Sequence, residues 1–217
     1  MRANGARHDA QAFVLIVIGG EPPSQALVDS LGQPEAVVAA DSGADAALAL
    51  GIRVDLLVGD EDSVSNAALS HANKIESYPR DKNSTDFELA LDSAQRFGPK
   101  RLVVVGAGGK REDHFIGNLA AMAKPSEHLI ESHNEFGVTW FVHDSWQAQT
   151  EPGTTVSILP IGGAAVGVTT SGLRWPLTNA TLQPYEALGI SNEASDQLVR
   201  VELATGVLAV IAPRIMG

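Results

Sequence analysis

The sequence predicts an α/β fold class, in which a doubly wound parallel sheet is followed by an antiparallel β-sandwich. Three observations carry this. Continuous apolar runs of strand length alternate with helical segments over the first 125 residues. From about Val138 the helical periodicity gives way to short Val-, Thr- and Ile-rich runs. The two textures meet in one boundary region, Lys124 to Gly137.

In the first part, Phe13 to Ile18 is continuously apolar and is broken by Gly19-Gly20-Glu21-Pro22-Pro23. Ser24 to Leu31 suits a short helix. Ala36 to Ala40 is a second strand that stops at Asp41-Ser42-Gly43. Ala44 to Leu50 is helical by composition, with Gly51 as its stop. Leu56 to Val58 forms the centre of a third strand, ending at Gly59-Asp60. Thr85 to Phe97 is the clearest helix: Phe87, Ala90, Leu91, Ala94 and Phe97 share one face, and Thr85-x-x-Glu88 is a capping box. Leu102 to Val105 is a fourth strand, followed by Gly106-Ala107-Gly108-Gly109. Apolar strands separated by helices imply a parallel sheet covered on both faces. This gives an α/β domain over residues 12–125.

The second part, residues 138–217, contains strand-like runs at Val138 to Val142, Thr154 to Ile161, Ala165 to Thr170, Leu198 to Leu203 and Val207 to Ile211. Ala204-Thr205-Gly206 suggests a hairpin turn between the last two. Alternating short strands without helices predict the sandwich. Met1 to Asp9 is expected to be a flexible tail.

Composition narrows the function. With 217 residues, 44% hydrophobic and 19% charged, the chain has ample material for a core. A formal net charge of −11 argues against nucleic acid or an anionic membrane as the main partner. The absence of cysteine excludes disulfides, thiolate metal sites and thiol nucleophiles. The longest apolar run, Ala12 to Ile18, falls far short of the ~20 residues of a membrane span. Met1 to Gln11 lacks the apolar stretch of a secretory leader, so a cytoplasmic setting is expected.

The acidic residues fall where chemistry is expected. In an open parallel sheet, ligands bind beyond the carboxyl ends of the strands. Asp41 follows one strand, Asp60 and Asp62 the next, and Asp113 the glycine loop, while Asp86 opens the capped helix. Five carboxylates on one edge would raise one another's pKa values and call for a counter-charge. Mg²⁺ meets that need, since it is held by one or two carboxylates plus substrate phosphates. Asp86 and Glu88 would equally serve the helix dipole, and Asp41 a turn. Strand alternation would place Asp60 and Asp62 side by side. The glycine loop is neither a Walker A loop nor G-x-G-x-x-G, yet such a turn leaves backbone N–H groups available to phosphate. Lys82, Lys110 and Arg111 lie near the same edge. The six histidines contain no H-x-x-x-H pair, which argues against a zinc site, and His114 draws interest only because it abuts Asp113.

Taken in order, these segments resemble the thiamine pyrophosphokinase family. The resemblance lies in Asp41-Ser42-Gly43-Ala44, Gly59-Asp60-Glu61-Asp62-Ser63, Lys82-Asn83-Ser84-Thr85-Asp86-Phe87-Glu88-Leu89-Ala90 and Gly109-Lys110-Arg111-Glu112-Asp113-His114. It continues in Ser171-Gly172-Leu173-Arg174-Trp175-Pro176-Leu177 and Gly189-Ile190-Ser191-Asn192-Glu193. The segments run in the family's order from about Phe13 to Ile211. Two positions depart from the pattern: Glu61 replaces a residue that is usually aromatic, and Lys110 replaces the second glycine of the phosphate loop.

The resemblance implies a Rossmann-like catalytic domain and transfer of the pyrophosphoryl group of ATP to the hydroxyl of thiamine. It implies Mg²⁺ held by Asp41, Asp60, Asp62 and Asp86, and catalytic roles for Asp60, Asp62, Asp86 and Asp113, with Asp86 as a candidate proton acceptor. Nucleotide contacts would fall to Asp41, Lys82, Thr85, Gly109, Arg111 and His114. Trp175, Ser191 and Asn192 would meet thiamine, in a homodimer with its active site at the subunit interface. Two alternatives stand beside this: a pyrophosphokinase for another alcohol such as a hydroxymethyl pterin, and a non-catalytic nucleotide- or thiamine-binding regulator. The Ser-Asn-Glu segment disfavours the first, and retention of every motif acid disfavours the second. Lys110 is either a neutral surface replacement or a new phosphate contact.

Overall fold

The structure is a computed structural model that describes residues 12–60 and 62–214. The tail expected at Met1 to Asp9 and the departure at Glu61 lie outside the described residues. The chain divides into two compact units. One comprises residues 12–122 with 126–135, and the other 136–214 with 123–125.

The first unit is built on six parallel strands: β1 (Phe13–Val17), β2 (Ala36–Ala40), β3 (Leu56–Gly59), β4 (Ile75–Ser77), β5 (Arg101–Val105) and β6 (Leu129–His133). Their order is β6-β5-β1-β2-β3-β4. Phe13 pairs with Arg101 on one side of β1, and Val14 with Ala36 on the other. Every residue of β1, β2, β3 and β5 is buried, and apart from Arg101 at the start of β5 these strands read as unbroken apolar runs.

Alternation sorts their side chains between two faces. Phe13, Leu15, Val17, Val37, Ala39, Leu57, Val103 and Val105 form one cluster with Ala44 and Ala47 of α2 (Gly43–Ala49) and Ala68 of α3 (Asn66–His71). The opposite face receives α4 (Asp86–Gln95), which packs on β1, β2 and β3 through a face that buries Phe87, Ala90, Leu91 and Ala94. The Thr85 capping box starts this helix. Helices on both faces make the sheet doubly wound. Two further helices, α1 (Gln25–Leu31) and α5 (Glu112–Met122), complete the unit, and Ser24 caps α1.

The domain boundary expected at residue 125 moves to 135, because β6 pairs in parallel with β5. Glu131 interrupts the apolar run of β6, yet it is buried. Arg101 Nε lies 3.2 Å from its Oε1, and His133 Nε2 lies 2.9 Å from its Oε2. Arg101 also stacks over the Phe13 ring at 5.5 Å. A buried carboxylate is tolerated when paired in this way.

The second unit is an antiparallel sandwich. One group of strands runs β12 (Asn192–Glu193), β9 (Thr155–Pro160), β14 (Leu208–Pro213) and β7 (Gly137–Val142). The other runs β11 (Ala180–Leu182), β10 (Ala165–Ser171), β13 (Leu198–Glu202) and β8 (Ser145–Gln149). Val156, Ile158, Leu208 and Val210 from the first group share a core with Trp146, Val168, Val199 and Val201 from the second. The hairpin expected at Ala204-Thr205-Gly206 is corrected. β13 pairs with β8 and β10, whereas β14 pairs with β7 and β9, so this turn carries the chain from one sheet to the other. It is anchored on β10, with the Ala204 N–H donating to Val166 O at 2.9 Å. Among the described residues, no helix is long and apolar enough to cross a membrane.

Candidate functional site

In the first unit, β1 lies between strands that lead away in opposite directions, β5 and β6 on one side and β2, β3 and β4 on the other. Such a reversal opens a crevice at the carboxyl edge. The loops after β1 and β5 meet there. The Gly20 N–H donates to Gly106 O at 3.0 Å, and the Glu21 N–H to Gly108 O at 2.7 Å. Gly109, at φ 74°, passes so near the Glu21 side chain that a Cβ on it would lie 2.7 Å from Glu21 Cβ. Asn118 of α5 braces the same loop by donating to Ala107 O at 2.9 Å.

The carboxylates gather on the other side of β1. Asp41 leaves β2 with φ 48°, a left-handed conformation that Asp and Asn adopt more readily than most residues. Its backbone is pinned, the N–H donating to Val58 O at 3.2 Å and the carbonyl accepting from Ala44 N at 3.0 Å. Its side chain turns toward Gly59 and Asp86. A Cβ on Gly59 would lie 2.7 Å from Asp41 Oδ1 and 3.4 Å from Asp86 Oδ1, so a side chain there would fill the space between the two carboxylates. Both Oδ1 atoms are buried without a hydrogen-bond donor. Lys82 Nζ lies 3.0 Å from Asp86 Oδ1 as an ion pair and donates to Pro79 O at 3.1 Å.

Electrostatics follow from this crowding. The Asp41 carboxyl is pushed from its ordinary 3.8 up to about 7. Burial is the largest cause, then the close approach and charge of Asp86, then the charge of Asp60, with Lys82 opposing. Two half-buried carboxylates whose Oδ1 atoms are buried close together offer a place for a cation, which is the fit expected of a divalent ion held by one or two carboxylates.

The expected four-acid ligand set is not assembled. Among the described residues, no group of three or more carboxylate or imidazole residues is gathered as a metal site. Asp60 is near enough to raise the Asp41 pKa, and its Oδ1 accepts from Asp62 N at 3.2 Å. The Asp62 side chain is exposed, with Oδ2 3.7 Å from Arg80 Nη1. The alternation that would set Asp60 beside Asp62 fails because β3 ends at Gly59.

The remaining nucleotide candidates are placed as follows. The Thr85 hydroxyl serves the cap, accepting from Glu88 N at 3.2 Å and donating to Glu88 Oε2 at 3.2 Å. Arg111 and Asp113 hold each other on the surface, with Nε to Oδ1 at 3.0 Å and Nη2 to Oδ2 at 2.5 Å. That guanidinium lowers the Asp113 pKa to about 2. His114 is exposed in the first turn of α5. Lys110 donates from Nζ to Gly19 O at 3.0 Å. Neither this contact nor that of Asn118 was legible in the sequence, because each partner is distant along the chain or is a backbone carbonyl.

In the second unit, the three candidates form a cluster of their own. Trp175 is 54% exposed, and the Arg174 guanidinium lies 4.8 Å from its ring centroid. Asn192 is buried and clasps the Trp175 backbone: Nδ2 donates to Trp175 O at 2.7 Å, and Oδ1 accepts from Trp175 N at 3.2 Å and Glu193 N at 2.8 Å. Ser191 is exposed with φ 56°, its N–H donating to Ser157 Oγ at 3.0 Å. An exposed aromatic ring is thus held from behind by a buried amide.

Backbone turns gathered at a strand-order reversal, with a cation-demanding carboxylate pair one strand away, put the first unit in the class of α/β nucleotide-binding domains. The comparisons narrow the class. The family described as thiamin pyrophosphokinase, catalytic domain, matches residues 29–132, and that described as thiamin pyrophosphokinase, vitamin B1 binding domain, matches residues 146–208. A thiamine pyrophosphokinase of Bacillus subtilis is 27% identical over 209 residues, which cover 90% of this chain and 96% of that protein. Thiamine pyrophosphokinase 2 of Arabidopsis thaliana is 24% identical over 191 residues, 75% of this chain and 67% of that protein. Among solved structures, a thiamin pyrophosphokinase from Geobacillus thermodenitrificans superposes with a TM-score of 0.77 at 25% identity, over 94% of this chain and 99% of that one. The chain belongs to the thiamine pyrophosphokinase family.

Proposed function

We propose that this protein transfers the pyrophosphoryl group of ATP to the hydroxyl of thiamine, giving thiamine diphosphate and AMP. The half-buried Asp41–Asp86 pair, whose Oδ1 atoms are buried across Gly59 with the Lys82 ammonium beside Asp86, is the observation that carries the reading toward phosphate transfer. Mg²⁺ is the cation in this reading, held by Asp41 and Asp86 with Asp60 beside them. It would neutralise triphosphate charge and orient the reacting phosphorus.

The protein's own part is positioning. The glycine loop after β5 presents backbone to the polyphosphate, and Lys82 holds Asp86 in place while adding positive charge. The Arg111 guanidinium, fixed by Asp113, meets phosphate oxygens. Thiamine's hydroxyl oxygen bonds to the β-phosphorus, the bond from that phosphorus to the oxygen bridging the α-phosphate breaks, and AMP leaves with the bridging oxygen. The hydroxyl proton passes to a carboxylate of this edge. Alignment and charge neutralisation supply most of the acceleration. Trp175 offers its exposed face to the cationic, aromatic thiamine, with Asn192 holding the backbone beneath it and Ser191 presented nearby. A homodimer and a cytoplasmic setting, where ATP is supplied, belong to the same reading.

AMP release measured with ATP, Mg²⁺ and thiamine, with a hydroxymethyl pterin in parallel, tests it. Release dependent on thiamine is the expected result; release with the pterin alone, or none at all, overturns it. Light scattering at working concentration tests the homodimer.

A further inference from the structure

We propose that Lys110 is a positioning residue that locks the glycine loop after β5 onto the loop after β1. This rests on the ATP reading above and deepens it. The two loops flank the crevice at the strand-order reversal and are joined by three backbone rungs, Ile18 N–H to Val105 O where they begin, then Gly20 N–H to Gly106 O and Glu21 N–H to Gly108 O. Lys110 adds a rung made by a side chain: its Nζ donates to Gly19 O at 3.0 Å, across 91 positions of sequence.

The backbone of Lys110 makes this contact informative. Its φ is 59°, a conformation that glycine adopts freely and other L-residues adopt at a cost. A lysine with no task would gain nothing from standing there, since the residue is exposed and its stem buries little. The bond to Gly19 O gives it a task. The long side chain leaves the strained position and reaches Gly19, whose carbonyl lies between the backbone rungs of Ile18 and Gly20. A glycine at this place would leave the loop ends joined by backbone rungs alone. With lysine, the cradle is already closed before nucleotide arrives, so less ordering is left to binding. The ammonium therefore acts through the loop and not through phosphate charge.

The test compares wild type with Lys110→Met, Lys110→Arg and Lys110→Gly. In nucleotide-free protein, amide hydrogen exchange over residues 18–22 and 106–111 is expected to quicken at least about threefold in Lys110→Met and Lys110→Gly, and to return toward wild type in Lys110→Arg, which keeps a long donor. In steady-state kinetics, Lys110→Met should raise KM for ATP about three- to tenfold, with KM for thiamine unchanged. The slope of log KM against log salt should stay that of wild type, because no phosphate partner is lost. A flattened slope in Lys110→Met would show a direct phosphate contact and overturn the proposal. Unchanged exchange in Lys110→Met would overturn it as well. Wild type that releases no AMP with thiamine would sink the function reading instead, while the exchange measurement would still decide the lock.

Discussion

Replacing Asp41 by Asn should stabilise the protein in the absence of divalent cations, and only above acidic pH. In the folded protein Asp41 keeps its proton up to about 7, against an ordinary value of 3.8. Between those values the folded state binds more protons than the unfolded one, so stability falls as pH rises through the window, and the penalty is complete above pH 7. Three pKa units at 1.36 kcal/mol each would be roughly 4 kcal/mol. Asp41 is half-buried, so solvent screening reduces this to about 1–2 kcal/mol. Asn keeps the shape and tolerates the φ of 48°. Thermal unfolding in chelator should therefore give matching midpoints at pH 4, with the Asn variant higher by about 2–8 °C at pH 8. Adding Mg²⁺ at pH 8 should raise the wild-type midpoint and leave the variant nearly unmoved. A difference of the same size at pH 4 and pH 8, or a less stable variant at pH 8, would refute the argument that a strained carboxylate pair awaits a cation.

Three further outcomes are expected. Asp60→Asn should lower AMP release on the order of 10³-fold while its melting temperature stays near wild type; near-normal turnover would remove Asp60 from the essential set. Asn192→Ala leaves the N–H and carbonyl of Trp175 and the N–H of Glu193 without their partner. It should cost roughly 1–3 kcal/mol of stability and raise KM for thiamine more than KM for ATP, so equal rises in both would argue against a role at Trp175. Thr85→Ala should lower stability by about 1 kcal/mol, with Thr85→Ser restoring it; a higher KM for ATP at unchanged stability would instead place the hydroxyl on nucleotide.

The parts of the fold that were legible in sequence are those whose signals are local. Strands buried on both faces give unbroken apolar runs, and Thr85-x-x-Glu88 marks a helix start whatever lies around it. What escaped depends on distant partners or on brevity. β6 was hidden by Glu131, whose burial makes sense only once Arg101 of the neighbouring strand is in place. Both α3, with six residues, and β4, with three, are too short to establish a period. Ala204-Thr205-Gly206 has hairpin composition, but composition does not reveal that the following strand joins a different sheet. Asp41 and Asp60 stand out in the sequence because they follow strands, and Asp86 because it opens a capped helix. Asp62 lies past Gly59, where β3 ends and alternation no longer fixes the side chain's direction, and it is exposed beside Arg80.

The pairing of β1 with β5 sets the timetable on which the first unit takes shape. Phe13 to Val17 meets its second neighbour only when Arg101 to Val105 exists, so one flank of a wholly apolar strand stays open while the intervening chain leaves the ribosome. Helix α4 and the β1–β2 pair can form early, but the central seam waits for a long-range encounter, which slows folding and lengthens exposure of sticky backbone. Mutations that weaken β5 should therefore reduce soluble yield in cells before they reduce the activity of whatever protein does fold. Chaperone demand, more than catalytic constants, is where damage to that strand would first be felt.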